Sequence, residues 1–130
     1  MKTQVVVDKQ KKQIICTAFA SGKCHDFKLF KQSRVHAKPE TVAKVDTGYL
    51  GIKKIHANSE HPIKSSKYYK LTQTEKQFNR QISSDRVLNE HVIGFIKRFK
   101  IVADRYRNRR KRFGLRFNLI AGICNYEFVN

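Results

Sequence analysis

Cysteine is scarce in this 130-residue chain, and its three copies, Cys16, Cys24 and Cys124, are odd in number and widely spaced. No two have the close spacing of a zinc ligand pair, and no disulfide scheme uses all three, so reduced thiols of a cytoplasmic protein are the expectation. Long apolar runs are missing as well. Nothing approaches the length that crosses a bilayer, and the opening MKTQVVVDKQKK lacks the apolar stretch of a signal peptide. No internal repeat, low-complexity tract or linker divides the chain, so one domain is expected. There is no Ser/His/Asp or Cys/His nucleophile pattern and no Gly-rich phosphate cradle. The last shortage is of negative charge: ten acidic residues face 28 Lys and Arg, a net +18. A chain so charged repels itself unless a polyanion is near, which makes nucleic acid the expected partner. An anionic membrane is the weaker alternative, because the basic residues are interleaved with core-type residues instead of lining one helix face.

What is present reads as a mixed α/β order. The β-branched run at 5–7, the charged turn at 8–12 and a second run at 13–19 predict a hairpin. Asp26 stands where an N-cap would start a short helix, and residues 41–45 predict a buried strand ending at Asp46. Residues 49–57 read as a helix with Leu50, Ile52 and Ile55 inward, and 58–70 as loop or edge strand. From Thr72 a polar helix runs to about Ile82. Ser83 and Ser84 are expected to break it and cap a second helix, from Asp85 to about Ala103, with Leu88, Val92, Phe95, Ile96 and Phe99 as its apolar stripe. A last helix is expected over 107–126.

The chemistry-bearing residues are few. Asp46, in VDTGYLG at 45–51, closes a strand at a turn rich in glycine, which is where open α/β sheets bind ligands. The same residue reads equally as a helix cap. Glu90, 44 residues later, stands at the edge of an apolar helix stripe, as a metal ligand would, or as a surface partner of Arg86. Two carboxylates are a small set for Mg²⁺ or Mn²⁺, which favour several oxygen ligands in phosphoryl transfer. Between Lys97 and Arg116 stand ten basic residues and one acid, Asp104, interleaved with aromatics. That pattern suits phosphate contact and base stacking, and it marks Lys97, Arg98, Arg105, Arg109 and Arg110 as DNA-contact candidates. The Cys24, His25, Asp26 group has no second cluster at zinc spacing, so capping accounts for it better. His91 points away from Glu90 and reads as a packing or DNA-facing residue.

The segments QVVVDKQKKQIICTAFASGKCHDFKLF, VDTGYLGI, SSDRVLNEHVIGFIKRFKI and DRYRNRRKRFGLRFNLIAGICNYEF together closely resemble the C-terminal part of DDE transposases of bacterial insertion sequences, across essentially the whole chain. The resemblance implies an RNase H-like mixed sheet with C-terminal helices, shared with retroviral integrases. It also implies three acids that hold two Mg²⁺ or Mn²⁺ ions and cut and join DNA, with Asp46 as the second acid and Glu90 as the third. On this comparison residues 1–130 lack the strand bearing the first Asp. The expectations are therefore an incomplete sheet, a chain inactive by itself, and self-association or complementation by an upstream fragment. A non-catalytic nucleic-acid binder or regulator of transposition is the alternative, and a basic protein of an RNA assembly a third.

Overall fold

A computed structural model describes residues 1–104 and 110–129 of the chain. They form two compact units, one of residues 1–24 and 88–130, the other of residues 25–87, so that the second is inserted in the sequence of the first.

In the first unit the hairpin is as expected, strand β1 (Lys2–Asp8) pairing antiparallel with β2 (Gln13–Ala20). Its turn contains neither Gly nor Pro. Asp8 replaces them: its Oδ1 accepts from the amides of Gln10 and Lys11, its carbonyl accepts from Lys12, and Lys12 takes a left-handed φ of 56°. The register slips between Val6 and Val7, so that Val6 faces Cys16 while Val7 faces Ile14, leaving Ile15 bulged and exposed.

Helix α4 (Phe113–Val129) covers this hairpin. Its Phe113, Phe117, Ile120, Ala121 and Cys124 recur at helical spacing and are buried with Ile14, Val92 and Ile96. Phe19 meets Phe113 and Phe117 edge-on, at 5.6 and 5.4 Å between centroids. Gly114 permits this approach, since a Cβ there would stand 3.1 Å from the Phe19 ring. Two asparagines, seven residues apart on α4, fasten it to β2. Asn125 accepts from the amide of Ile14 at 2.8 Å and donates to its carbonyl at 2.9 Å, while Asn118 accepts from the Thr17 hydroxyl. Burial raises the thiol pKa of Cys16 and Cys124.

The second unit begins with α1 (Asp26–Ser33), whose N-cap is His25, accepting from the Phe27 amide through Nδ1, and not Asp26, which sits in the first turn. The strand expected over 41–45 shortens to β3 (Ala43–Lys44), half-buried and parallel to β4 (Ser59–Glu60). Between them the helix expected over 49–57 does not form. Gly51 takes a left-handed φ of 99°, which splits the segment into two 3-10 turns, Thr47–Tyr49 and Ile52–Lys54. Only Ile52 of the three expected inward residues is buried, Leu50 and Ile55 being about half exposed.

Helix α2 (Gln73–Ile96) runs unbroken through Ser83 and Ser84. Serine caps helices where the chain leaves them, but its cost inside one is small beside the burial of Ile82 before the pair and Val92 after it. The helix ends at Ile96 instead of near Ala103, where Arg98 folds back to donate through Nε to the Phe95 carbonyl. A short α3 (Lys100–Ala103) follows. A 3-10 turn at Arg110–Arg112 precedes α4, so the last helix starts later than expected and runs to Val129. The mixed α/β class is observed. Among the described residues its strands form two two-stranded sheets, β1 with β2 and β3 with β4. No helix of the described residues is long and apolar enough to cross a membrane.

The paired asparagine bonds yield a stability prediction. Asn125→Ala leaves the Ile14 amide without its acceptor, and urea denaturation is expected to register a loss of about 1–3 kcal/mol. Asn118→Ala, which releases only the exposed Thr17 hydroxyl, is expected to cost less in the same measurement.

Candidate metal centre and nucleic-acid surface

Asp46 stands between β3 and the first 3-10 turn in extended backbone conformation, and its two carboxylate oxygens have different tasks. Oδ1 accepts from the Thr47 amide and hydroxyl, capping the turn. Oδ2 meets Arg86 Nη2 at 3.2 Å, with the Asp46 side chain 55% and that of Arg86 28% exposed. The capping reading of Asp46 is thus observed, and one of its oxygens remains directed at a cation.

The turn is held from behind by α1. A Cβ on Gly48 would lie 2.7 Å from Asp26 Oδ2, the movable end of that side chain, and one on Gly51 3.2 Å from the Phe27 ring, so α1 comes close to both glycines. Gly51 is required by its φ of 99°. Tyr49 packs edge-on against Phe30 at 6.1 Å. Burial, followed by the charges of Asp26 and Asp46, pushes its phenol up to about 12.

Beside the Asp46–Arg86 pair is a second with the charges exchanged, Lys44 on the strand bonding to Asp85 on α2. Lys44 is also 3.9 Å from Glu60 on the neighbouring strand. Local sequence gave no warning of Arg86 as the partner of Asp46. The two are 40 positions apart, and the helical period offers Arg86 to Glu90 just as readily.

Glu90 lies in the other unit, exposed on α2, four residues after Arg86. Among the described residues it makes no ion pair, the cation one turn before it being engaged with Asp46. His91 is exposed and lines a groove of about 260 Å³ with Lys12, Leu88, Val92, Phe95 and Phe128. Of the DNA-contact candidates, Lys97 is exposed. Arg98 lies 3.7 Å from the Phe95 ring centre and 2.7 Å from Glu127, with half its side chain open to solvent. Arg105 and Arg109 are outside the described residues, and for Arg110 only its place at the start of a 3-10 turn is described.

The donor chemistry at Asp46 fits one oxygen ligand of a hard divalent cation. Among the described residues no group of three or more His, Cys, Asp or Glu side chains converges as a metal site.

Residues 1–125 match the family described as DDE superfamily endonuclease. The chain is 48% identical over 129 residues to the probable transposase for insertion sequence element IS702 of Microchaete diplosiphon, an alignment covering 99% of this chain and 47% of that protein. The chain therefore spans about half the length of this relative. No solved structure matches it.

The Tyr49 environment predicts a pH dependence. The native state holds the phenolic proton more tightly than the unfolded chain, so the stabilisation is complete below pH 10 and is lost as pH rises from 10 through about 12. Tyrosinate absorbance is expected to lose a late-ionising group in Tyr49→Phe, while Tyr69, whose phenol is raised first by its hydrogen bond to Glu75, remains.

Proposed function

The chain belongs to the DDE superfamily of endonucleases, and from that premise we propose that residues 1–130 are the C-terminal part of a transposase catalytic domain of RNase H-like build, acting on DNA in the cytoplasm. The full-length enzyme cuts transposon ends and joins them to target DNA. The observation that carries this reading is the match along residues 1–125 together with 48% identity to a probable transposase. The exposed Asp46 carboxylate on a braced turn is the local feature that supports it.

In this reading Asp46 and Glu90 are catalytic carboxylates that supply oxygen ligands to Mg²⁺ or Mn²⁺. DDE superfamily endonucleases use divalent metals, and such an ion, when bound, supplies Lewis-acid activation and neutralises charge on the reacting phosphate. The work of the chain itself is positional. Thr47 fixes the Asp46 carboxylate through Oδ1, Gly48 and Gly51 let α1 support the turn, and Arg86 balances the charge on Oδ2. Lys97, Arg98, Arg105, Arg109 and Arg110 contribute phosphate contacts that hold the DNA strand. With two carboxylates in place of a fuller ligand set, the 130 residues by themselves are silent in strand cleavage. By analogy with losing one member of a catalytic unit, the deficit is roughly a thousandfold or more.

A second reading, nucleic-acid binding without chemistry, draws on the absence of a three-ligand cluster among the described residues. Mn²⁺ titration by calorimetry separates the two. Asp46→Asn and Glu90→Gln are each expected to weaken binding at least tenfold, whereas Arg86→Gln is expected to tighten it by relieving competition for Oδ2. Equal affinity in all four proteins removes the metal site and leaves the binding protein. In both readings duplex DNA affinity falls steeply with salt.

A further inference from the structure

Residues 63–72 form a polar loop that buries little, yet it is fastened at every stage. Asn79 on α2 accepts from the Ile63 amide at 2.8 Å and donates to the Ile63 carbonyl at 2.9 Å. Ser66 and Tyr69 exchange two backbone hydrogen bonds, and the Ser66 hydroxyl accepts a further bond from the Tyr69 amide at 3.1 Å, closing a four-residue turn. The Tyr69 phenol donates to Glu75, whose other oxygen accepts from the Thr72 amide, while the Thr72 hydroxyl accepts from the Glu75 amide. That last exchange is a capping box at the start of α2.

Ordering a loop costs conformational entropy, and this one recovers almost none of it through apolar burial. What the ordering achieves is the presentation of one side chain. Tyr68, at the third position of the turn, is 92% exposed, with Lys67 Nζ 6.0 Å from its ring centre. Lys64, Lys67 and Lys70, all within four residues of it in sequence, are exposed. The acid nearest in sequence, Glu75, is occupied by Tyr69 and Thr72, so the charges flanking the ring along the chain are cationic.

An aromatic ring held out from a rigid turn among lysines is the arrangement on which unpaired bases stack while their flanking phosphates meet cations. We propose that the turn at residues 66–69 is a base-stacking contact for single-stranded or locally unpaired DNA, with Tyr68 receiving a base and Lys64, Lys67 and Lys70 meeting the adjoining phosphates. The contact rests on the reading that the chain binds DNA. It extends that reading from a phosphate-contacting surface in 97–110 to a second place, in the other unit, that distinguishes unpaired from paired strands.

The test measures binding of the 130-residue chain to a 2-aminopurine-labelled single strand, to the same sequence as duplex, and to the corresponding single-stranded RNA. Tyr68→Ala is expected to weaken single-strand DNA binding roughly tenfold and abolish the stacking quench, while duplex affinity stays within about twofold. Tyr68→Phe is expected to retain both. Circular dichroism checks that the exposed substitution leaves the fold intact. Unchanged single-strand binding and quenching in Tyr68→Ala, or wild-type binding to duplex alone, overturns the stacking contact and leaves DNA binding standing. Tighter binding to RNA with the same Tyr68 dependence overturns the assignment to DNA. Absence of wild-type binding to every probe removes the DNA reading and this contact together.

Discussion

Shortage of negative charge is the constraint under which this chain folds. Twenty-eight basic side chains share the molecule with ten acidic ones, so each carboxylate has a large influence on where the basic residues can go. Among the described residues several of these carboxylates are engaged in specific local tasks. Asp8 turns the hairpin, Asp46 and Asp85 tie β3 to α2, Glu60 approaches Lys44, Glu75 holds Tyr69 and caps α2, and Glu127 meets Arg98. Glu90 is the contrast, an exposed carboxylate in a cationic chain with no ion pair among the described residues.

The crossed pairs Lys44–Asp85 and Asp46–Arg86 illustrate how few charges can specify an arrangement. Single exposed ion pairs contribute little stability. Two adjacent pairs of opposite sense do more for specificity, because sliding the strand against the helix would set like charges facing each other. The Asp46 turn acquires its position from them, and from the close approach of Asp26 and Phe27 to its two glycines. A carboxylate held in this way is oriented before any ligand arrives, which lowers the ordering cost of binding.

Several elements were legible in the residues themselves. The hairpin followed from its β-branched runs, and the apolar stripe of α2 from a 3.6-residue period, since both depend on local patterns that their own burial rewards. The elements misread were those settled by distant partners. Residues 49–57 carry a helical pattern, but Gly51 in left-handed conformation against Phe27 divides them. Ser83 and Ser84 look like a cap from their neighbours alone, while the buried side chains on either side keep the helix continuous. At the candidate site, Asp46 and Glu90 were named from a motif resemblance, whereas the ion pair of Asp46 with Arg86 was not foreseen, the two being 40 residues apart.

By itself the sequence determined the charge, the mixed α/β class and the hairpin, because composition and short-period burial patterns need no knowledge of remote contacts. The tertiary structure alone decided that Arg86 faces Asp46, that Asn125 grips the edge of β2, and that Tyr68 stands out from a fastened turn. Each of these depends on side chains brought together by packing, where distance in space and separation along the chain part company.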